Sequence, residues 1–350
     1  MRALLLHAIK GISLLSYNDD WKDSFLRYDK HINWDIYNLY NRSWVLLIPK
    51  LKRYDLIVIL HSTNSNTSHF PSLLKKALLY RRSKLLIFIG NEYKLIPQKL
   101  KLIEDIDADY IASQLPQDIA DWLYAEAKGI KLSVPHALNP FVFKPILPQK
   151  DRLTDIGERS YEYPWYLGDL YRNRLIQNIK NYFSGLTLDI SSDRNKRFSR
   201  KAWAEFLNKC KGTVSTEAGT SFLERDDRTR LAVNKYLIKN KGASFNDVYN
   251  RFFENYKNPV SGKTISSRHF DAIGTKTCQI MLSGRFCDIL KPDIHYISIN
   301  RDFSNLESVY ERFIDIEYRK KMTDLTYEFA MDSHTHLHRI SSLFNKISLI

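Results

Sequence analysis

Residues 268–280 read Arg268-His269-Phe270-Asp271-Ala272-Ile273-Gly274-Thr275-Lys276-Thr277-Cys278-Gln279-Ile280. The stretch predicts a helix carrying the acidic Asp271, a turn of small and polar residues, and a buried strand that opens at Cys278. Beyond the strand come Ser283-Gly284-Arg285, a glycine-containing loop, and then Ile289-Leu290-Lys291-Pro292-Asp293-Ile294-His295-Tyr296. Helix, turn, strand and loop in that order are the repeating parts of an α/β sheet.

Working outward, the first 140 residues show the same alternation. Residues 4–7, 55–60 (Asp-Leu-Ile-Val-Ile-Leu) and 84–89 (Lys-Leu-Leu-Ile-Phe-Ile) are short, nearly continuous apolar runs. Strands buried on both faces of a parallel sheet look like this. Residues 70–82 and 117–127 between them have helical spacing, with Pro71 suited to a first turn. The alternation breaks at Val134-Pro135-His136-Ala137-Leu138-Asn139-Pro140, and Pro145 and Pro148 follow. Proline density of this kind marks an extended crossing between domains. A second α/β series is expected from about residue 163 to 299, with strands at 165–167, 186–190, 213–215 and 278–282. Residues 316–346 read as one or two closing helices. The expected division is therefore an α/β domain over 1–143, a second over 144–325, and a segment 326–350 packing back toward the first. No internal repeat is evident.

The chain has 350 residues, 44% hydrophobic and 26% charged, a globular balance with room for two cores. No apolar run approaches the roughly 20 residues that cross a bilayer. The opening Met1-Arg2-Ala3-Leu4-Leu5-Leu6-His7 reads as a first buried strand rather than a signal core, so a cytoplasmic location is expected. Cys210, Cys278 and Cys287 form no CxxC pair, which fits a reducing compartment and disfavours structural zinc. The net charge of +14 suits nucleotide diphosphates, anionic lipid headgroups or nucleic acid. A dinucleotide-binding Rossmann enzyme is disfavoured, because no G-x-G-x-x-G follows the first strand.

The 268–296 region resembles the C-terminal half of GT-B glycosyltransferases, with their helix, strand, glycine loop and further helix start. Ile289-Leu290-Lys291-Pro292 with His295-Tyr296-Ile297, and Arg301-Asp302-Phe303-Ser304-Asn305, are similar to phrases of the CgeB-like bacterial group. Thr216-Glu217-Ala218-Gly219-Thr220 resembles the acidic-glycine turn of that family. Asp155-Ile156-Gly157 and Tyr166-Leu167-Gly168-Asp169 resemble its first strand and turn after the linker. Ser113-Gln114-Leu115-Pro116 and the 135–140 segment look like the end of its first domain. The resemblance spans roughly residues 85–345. It implies two Rossmann-like domains around an interdomain cleft, closing C-terminal helices, and a nucleotide sugar as co-substrate without a metal or other cofactor.

The resemblance also assigns roles. Asp271 would hold the donor's ribose and Glu217 would lie beside its sugar or phosphate, although the family's two glutamates stand eight positions apart. Here that spacing places Lys263 opposite Asp271, which implies an insertion at about 222–266. Arg172 and Arg174 would face the diphosphate, Gly168 and Thr275 would belong to the same donor site, and Lys276, replacing a usual glycine, would either reach the diphosphate or point to solvent. A helix start around Gly284, Ile289 and Leu290 would offer backbone amides to phosphate. On the acceptor side, His61-Ser62-Thr63 and Gly90-Asn91-Glu92 each follow a predicted strand, so both loops should open on the cleft. His61 or Glu92 would be the general base of an inverting enzyme, whereas retention needs none. His334-Thr335-His336-Leu337-His338 resembles a metal motif, but only His334 and His338 would share a helical face, and no further ligand completes a set. Expected partners are the donor and a cell-envelope glycan, lipid-linked or protein acceptor, with peripheral contact to the inner face of an anionic membrane. A nucleic-acid acceptor and a non-catalytic relative are the alternatives.

Overall fold

The computed structural model describes residues 1–11, 13–28, 31–160 and 162–347. Eleven strands among them form two parallel sheets. The first contains β1 (Arg2–His7), β2 (Asn33–Asn38), β3 (Leu56–Ile59), β4 (Lys84–Phe88), β5 (Tyr110–Ser113) and β6 (Ile130–Ser133), in the order β2-β1-β3-β4-β5-β6. The second contains β7 (Thr154–Arg159), β8 (Leu188–Ser191), β9 (Cys210–Ser215), β10 (Cys278–Leu282) and β11 (Ile297–Ile299), in the order β11-β10-β9-β7-β8. Each order reverses direction once, between β1 and β3 and between β7 and β9. Ligands of open α/β sheets collect at such switch points, beyond the carboxyl ends of the strands.

The reason these residues make these strands is burial on both faces. All four residues of β3 and all five of β10 are buried. A side chain there has no face to turn to water, so the runs are apolar apart from Gln279, which β10 buries at 3% exposure. Edge strand β2 is half exposed and mixes Asn33, Asp35 and Asn38 with Trp34 and Ile36. Its hydrophobic signal is correspondingly weak.

Some expectations need correcting. Residues 165–167 form a single 3-10 turn, because Pro164 starts it and Gly168 at φ +60° ends it. The first strand of the second sheet is instead β7, upstream of residue 163. The 70–82 helix is two short helices, His69–Ser72 and Lys75–Leu79. No α-helix starts at 284–290. The chain there makes a 3-10 turn, Phe286–Asp288, whose three residues all have φ between 45° and 60°. The next α-helix begins at Leu306.

Residues 222–266 hold two helices, Arg228–Lys239 and Phe245–Phe252, with a small core of Val233, Val248 and Phe253. The closing helices are Ile316–Ser333 and His336–Lys346. Residues 348–350 of the closing segment lie outside the described residues. Leu138 of the crossing is gripped where these two helices meet: its N–H donates to His334 and its carbonyl accepts from His336, both at 2.9 Å. Ile340, Leu343 and Phe344 then enter the core beneath the first sheet, beside Trp21 and Phe25. Each such side chain withdrawn from water contributes about 1.5–3 kcal/mol. No helix among the described residues is long and apolar enough to cross a membrane.

Candidate functional site

The carboxyl ends of the two sheets face each other across a cleft of about 350 Å³. Its first-domain wall comes from the loops after β1, β3, β4 and β5, including Ser16, Tyr17, Asn66, Glu92, Lys94 and Gln114. Its second-domain wall includes Arg159 at the end of β7, Arg172, Arg197, Arg200, Trp203, Gly219, Arg268 and Asp271. Six cations thus line the cleft against two carboxylates, Glu92 and Asp271.

Five of the six belong to the second domain, and their anchors set their positions. Arg159 forks onto Asp189 at 2.7 and 2.8 Å and lies over the Phe206 ring. Arg268 pairs with the buried Glu158, and Arg200 with Asp20 and Asp23 across the cleft at 3.0 and 2.8 Å. The Arg172 guanidinium lies 3.7 Å from the centre of the Tyr163 ring. Planar guanidiniums held this way present fixed donor edges to an anion. The helix Ser267–Gly274 adds its positive end, since Ser266, Ser267 and Arg268 all line the cleft.

Asp271 lies one turn further along that helix, 3% exposed. Its Oδ2 accepts from Ser16 Oγ of the first domain at 3.1 Å and from Trp203 Nε1 at 3.0 Å. Burial, reinforced by Asp20, holds this carboxyl well above the usual range. Both neighbours that satisfy it are neutral donors, which a hydroxyl-bearing ligand replaces without loss of a bond. Glu217 is placed differently. Its Oε1 accepts from the Phe286 amide at 2.7 Å, and burial raises its pKa. A Cβ at Gly284 would meet Glu217 Oε2 at 2.4 Å, so glycine lets the loop settle directly on the carboxylate. Glu217 therefore shapes the 284–288 turn, one residue before the cleft-lining Ala218 and Gly219.

The remaining sequence-selected residues divide between the cleft and elsewhere. Arg172, Asp271 and Glu92 reach the cleft wall. Gly168 lies beneath it, its missing Cβ leaving room for Phe222 and Phe253. Arg174 projects from the outer surface of the helix Tyr171–Tyr182. Thr275 and Lys276 stand at the wrong end of β10, because the helix that begins at the cleft has already carried the chain away from it. Thr275 Oγ1 caps that helix on the Asp271 and Ala272 carbonyls. Lys276, at φ +52°, pairs with Asp324 at 2.6 Å instead of with a diphosphate or solvent. Leu290 is core, and Ile289 packs against the same cluster.

The two base candidates are both enclosed. His61 is fully buried, packed against Tyr17, Trp21, Phe88 and His136, and burial lowers its pKa well below 6.5. Glu92 accepts from Ser113 Oγ at 2.6 Å, Tyr124 Oη at 2.7 Å and the Gln114 amide at 2.8 Å. Three donors on one carboxylate brace the loops after β4 and β5. His334 and His338 do not share a helical face, since the chain breaks between helices there. His338 caps the last helix through Thr335, and His334 Nδ1 lies 2.8 Å from Arg339.

Sequence reading missed Lys94, Arg159, Arg197, Arg200, Arg268, Ser16 and Trp203. Two of them carried a signal: Arg159 closes a strand, and Arg268 lies in the first turn of the helix that carries Asp271.

Neither a family model nor a curated protein sequence matches the chain. Solved structures do. The chain is similar along its whole length to Anabaena Alr3699/HepE in complex with UDP (TM-score 0.55, 10% identity, 100% of both chains). The complex of the same protein with UDP-glucose gives TM-score 0.52 at 11% identity, again over 100% of both chains. T4 phage BGT in complex with its UDP-glucose substrate gives TM-score 0.50 at 12% identity, over 99% of this chain and 98% of that one. The chain has the GT-B fold: two Rossmann-like domains facing one another across a cleft.

Proposed function

We propose that the chain is a glycosyltransferase that moves a sugar from a nucleoside diphosphate donor, uridine-based by analogy with its structural neighbours, onto an acceptor held by the first domain. The carrying observation is the second-domain wall, where Arg159, Arg172, Arg197, Arg200 and Arg268 line the same cleft as the positive end of the helix Ser267–Gly274. In this reading the diphosphate lies against Arg172, Arg268 and the helix amides, and Asp271 exchanges its Ser16 and Trp203 bonds for the ribose hydroxyls.

As the bond from the sugar's anomeric carbon to the phosphate oxygen breaks, negative charge collects on that oxygen. Fixed guanidiniums and amides stabilise it without reorganising. They supply the charge compensation proposed to make a metal unnecessary. Retention of configuration is the preferred stereochemistry, supported by the enclosure of His61 and the threefold bonding of Glu92. The acceptor oxygen then bonds to the anomeric carbon on the face the phosphate leaves, and its proton passes to the departing phosphate oxygen. An envelope glycan, lipid-linked molecule or protein is the proposed acceptor, and a cytoplasmic, membrane-peripheral location the proposed setting. The CgeB-like group remains the family proposed from the 289–305 phrases.

The test is nucleotide release from a panel of UDP-, GDP- and ADP-sugars, with and without EDTA, and with duplex DNA as one added acceptor. Release from one nucleotide class, unaffected by EDTA and lost in Asp271→Ala, supports the reading. DNA-dependent release moves the acceptor to nucleic acid. Absence of both turnover and nucleotide binding makes the chain a non-catalytic relative.

A further inference from the structure

The first domain carries an apolar and cationic surface that neither the fold nor the cleft uses. The segment Arg42–Arg53 lies between β2 and β3, with Leu47 and Leu51 turned into the core beside Leu74 and Leu78. Val45, Leu46 and Ile48 of the same segment turn outward, 53%, 66% and 40% exposed. Leu79 and Tyr80, at the end of the neighbouring helix Lys75–Leu79, are likewise exposed. Contiguous exposed aliphatic surface of this kind marks an interaction site.

Its charge names the partner. Residues 39–84 contain nine Lys and Arg against a single acid, Asp55. Lys75, Arg81 and Lys84 pair with Asp105 and Asp109. Lys50, Lys52, Arg53, Lys76 and Arg82 make no ion pair among the described residues. Aliphatic side chains flanked by unpaired cations fit the boundary between acyl chains and anionic headgroups. A nucleic acid would match the charge but gain nothing from Leu46 or Leu79.

The surface also reaches the cleft. Asn38, at the end of β2, exchanges hydrogen bonds with Ile9 of the loop after β1 at 3.1 and 2.7 Å. Lys10 of that loop lies over the Tyr40 ring, and Tyr40 packs on Phe70 in the region after β3. Leu14 and Leu15, farther along the loop after β1 and 49% and 37% exposed, line the cleft itself.

We infer that residues 40–53 and 76–82 seat the first domain on an anionic bilayer, with the acceptor side of the cleft opening at the membrane, so that the acceptor is a lipid-linked molecule. The acceptor assignment rests on the glycosyltransferase reading, whereas the seating does not.

The test is flotation of the full chain with phosphatidylcholine vesicles, with and without phosphatidylglycerol, alongside melting shifts induced by UDP, GDP or ADP. The chain should float only with phosphatidylglycerol and release at high salt. Lys50→Ser, Lys52→Ser and Arg53→Ser combined should weaken partition on the order of a hundredfold. Leu46→Asp should weaken it at least about tenfold. Lys201→Ser and Leu153→Asp, at exposed positions on the second domain, should float like the unaltered chain. All variants should keep the melting temperature, which shows that they fold. No flotation, or equal flotation of the 50/52/53 and control variants, overturns the inference. So does a dimer that Leu46→Asp dissolves without any vesicle binding, since the surface then belongs to a second copy. Flotation without a melting shift from UDP, GDP or ADP leaves the seating intact and overturns the glycosyltransferase reading with its lipid-linked acceptor.

Discussion

The two domains share one architecture and differ in what they place at the same position. In the first sheet, the strands flanking the cleft lead to His61, sealed among rings, and to Glu92, saturated by three donors. In the second, they lead to Arg159, to Arg197 in a loop, and to Arg172, Arg200 and Arg268 in the first turns of helices. A parallel sheet supplies a binding edge, while its loops decide what binds there. In the proposed reading the strongly cationic edge takes the diphosphate, and the facing edge, with Lys94 and Glu92 as its charged residues, takes the acceptor.

Opposing cations offer the strongest way to break that comparison. Arg172→Ala should weaken UDP binding by about 10- to 100-fold, the loss expected for a charge-assisted contact. Lys94→Ala, on the facing wall, should leave UDP affinity within about twofold and raise the acceptor KM. Equal losses from both would place the diphosphate between the domains and erase the asymmetry.

Acidity tests the first domain's sealed rings. Burial lowers His136 to about 3, and His269 in the second domain also to about 3. Unfolded histidine takes its proton near 6.5, so between there and about 3 the unfolded chain binds more protons. Stability therefore falls as pH falls through that window. Asp20, raised to about 6 by burial, acts in the opposite sense: its contribution is full below the unfolded value of 3.8 and is lost as pH rises through 6. Melting temperature should drop from pH 7 to 5. His136→Gln should flatten the slope by up to about 1.4 kcal/mol per pH unit. An unchanged slope would mean that His136 is protonated in the fold.

A smaller effect is expected where the domains touch. Ser16→Ala removes the hydroxyl that bonds Asp271 at 3.1 Å and should cost about 1 kcal/mol of thermal stability. Least should follow from Lys276→Gly. Its part-exposed pair with Asp324 is worth under about 1 kcal/mol, and glycine relieves the φ of +52°. UDP affinity should not move, in contrast to Arg172→Ala, and titration of the two variants side by side checks this.

Burial patterns explain which features were readable in the sequence. β1, β3, β4 and β10 are enclosed on both faces, so their apolar runs are visible in a single sequence. Trp165-Tyr166-Leu167 carries the same residue types, but Pro164 and Gly168 bend it into one turn. The site was only half readable, because its anchors are remote. Arg200 meets Asp20 across 180 positions, and Arg268 meets Glu158 across 110. Asp271 and Arg172 were legible through the resemblance and lie on the cleft. The helix start expected near 289 failed because the run of left-handed residues at 286–288 has no signature in Phe-Cys-Asp.

The most direct measurement is calorimetric titration of the full chain with UDP in EDTA, repeated on Arg172→Ala and Lys94→Ala. One UDP per chain, weakened at least about tenfold by Arg172→Ala and unchanged by Lys94→Ala, is the result predicted for a donor site on the second domain. UDP binding that needs a divalent cation, or that Lys94→Ala weakens as much as Arg172→Ala, would contradict it.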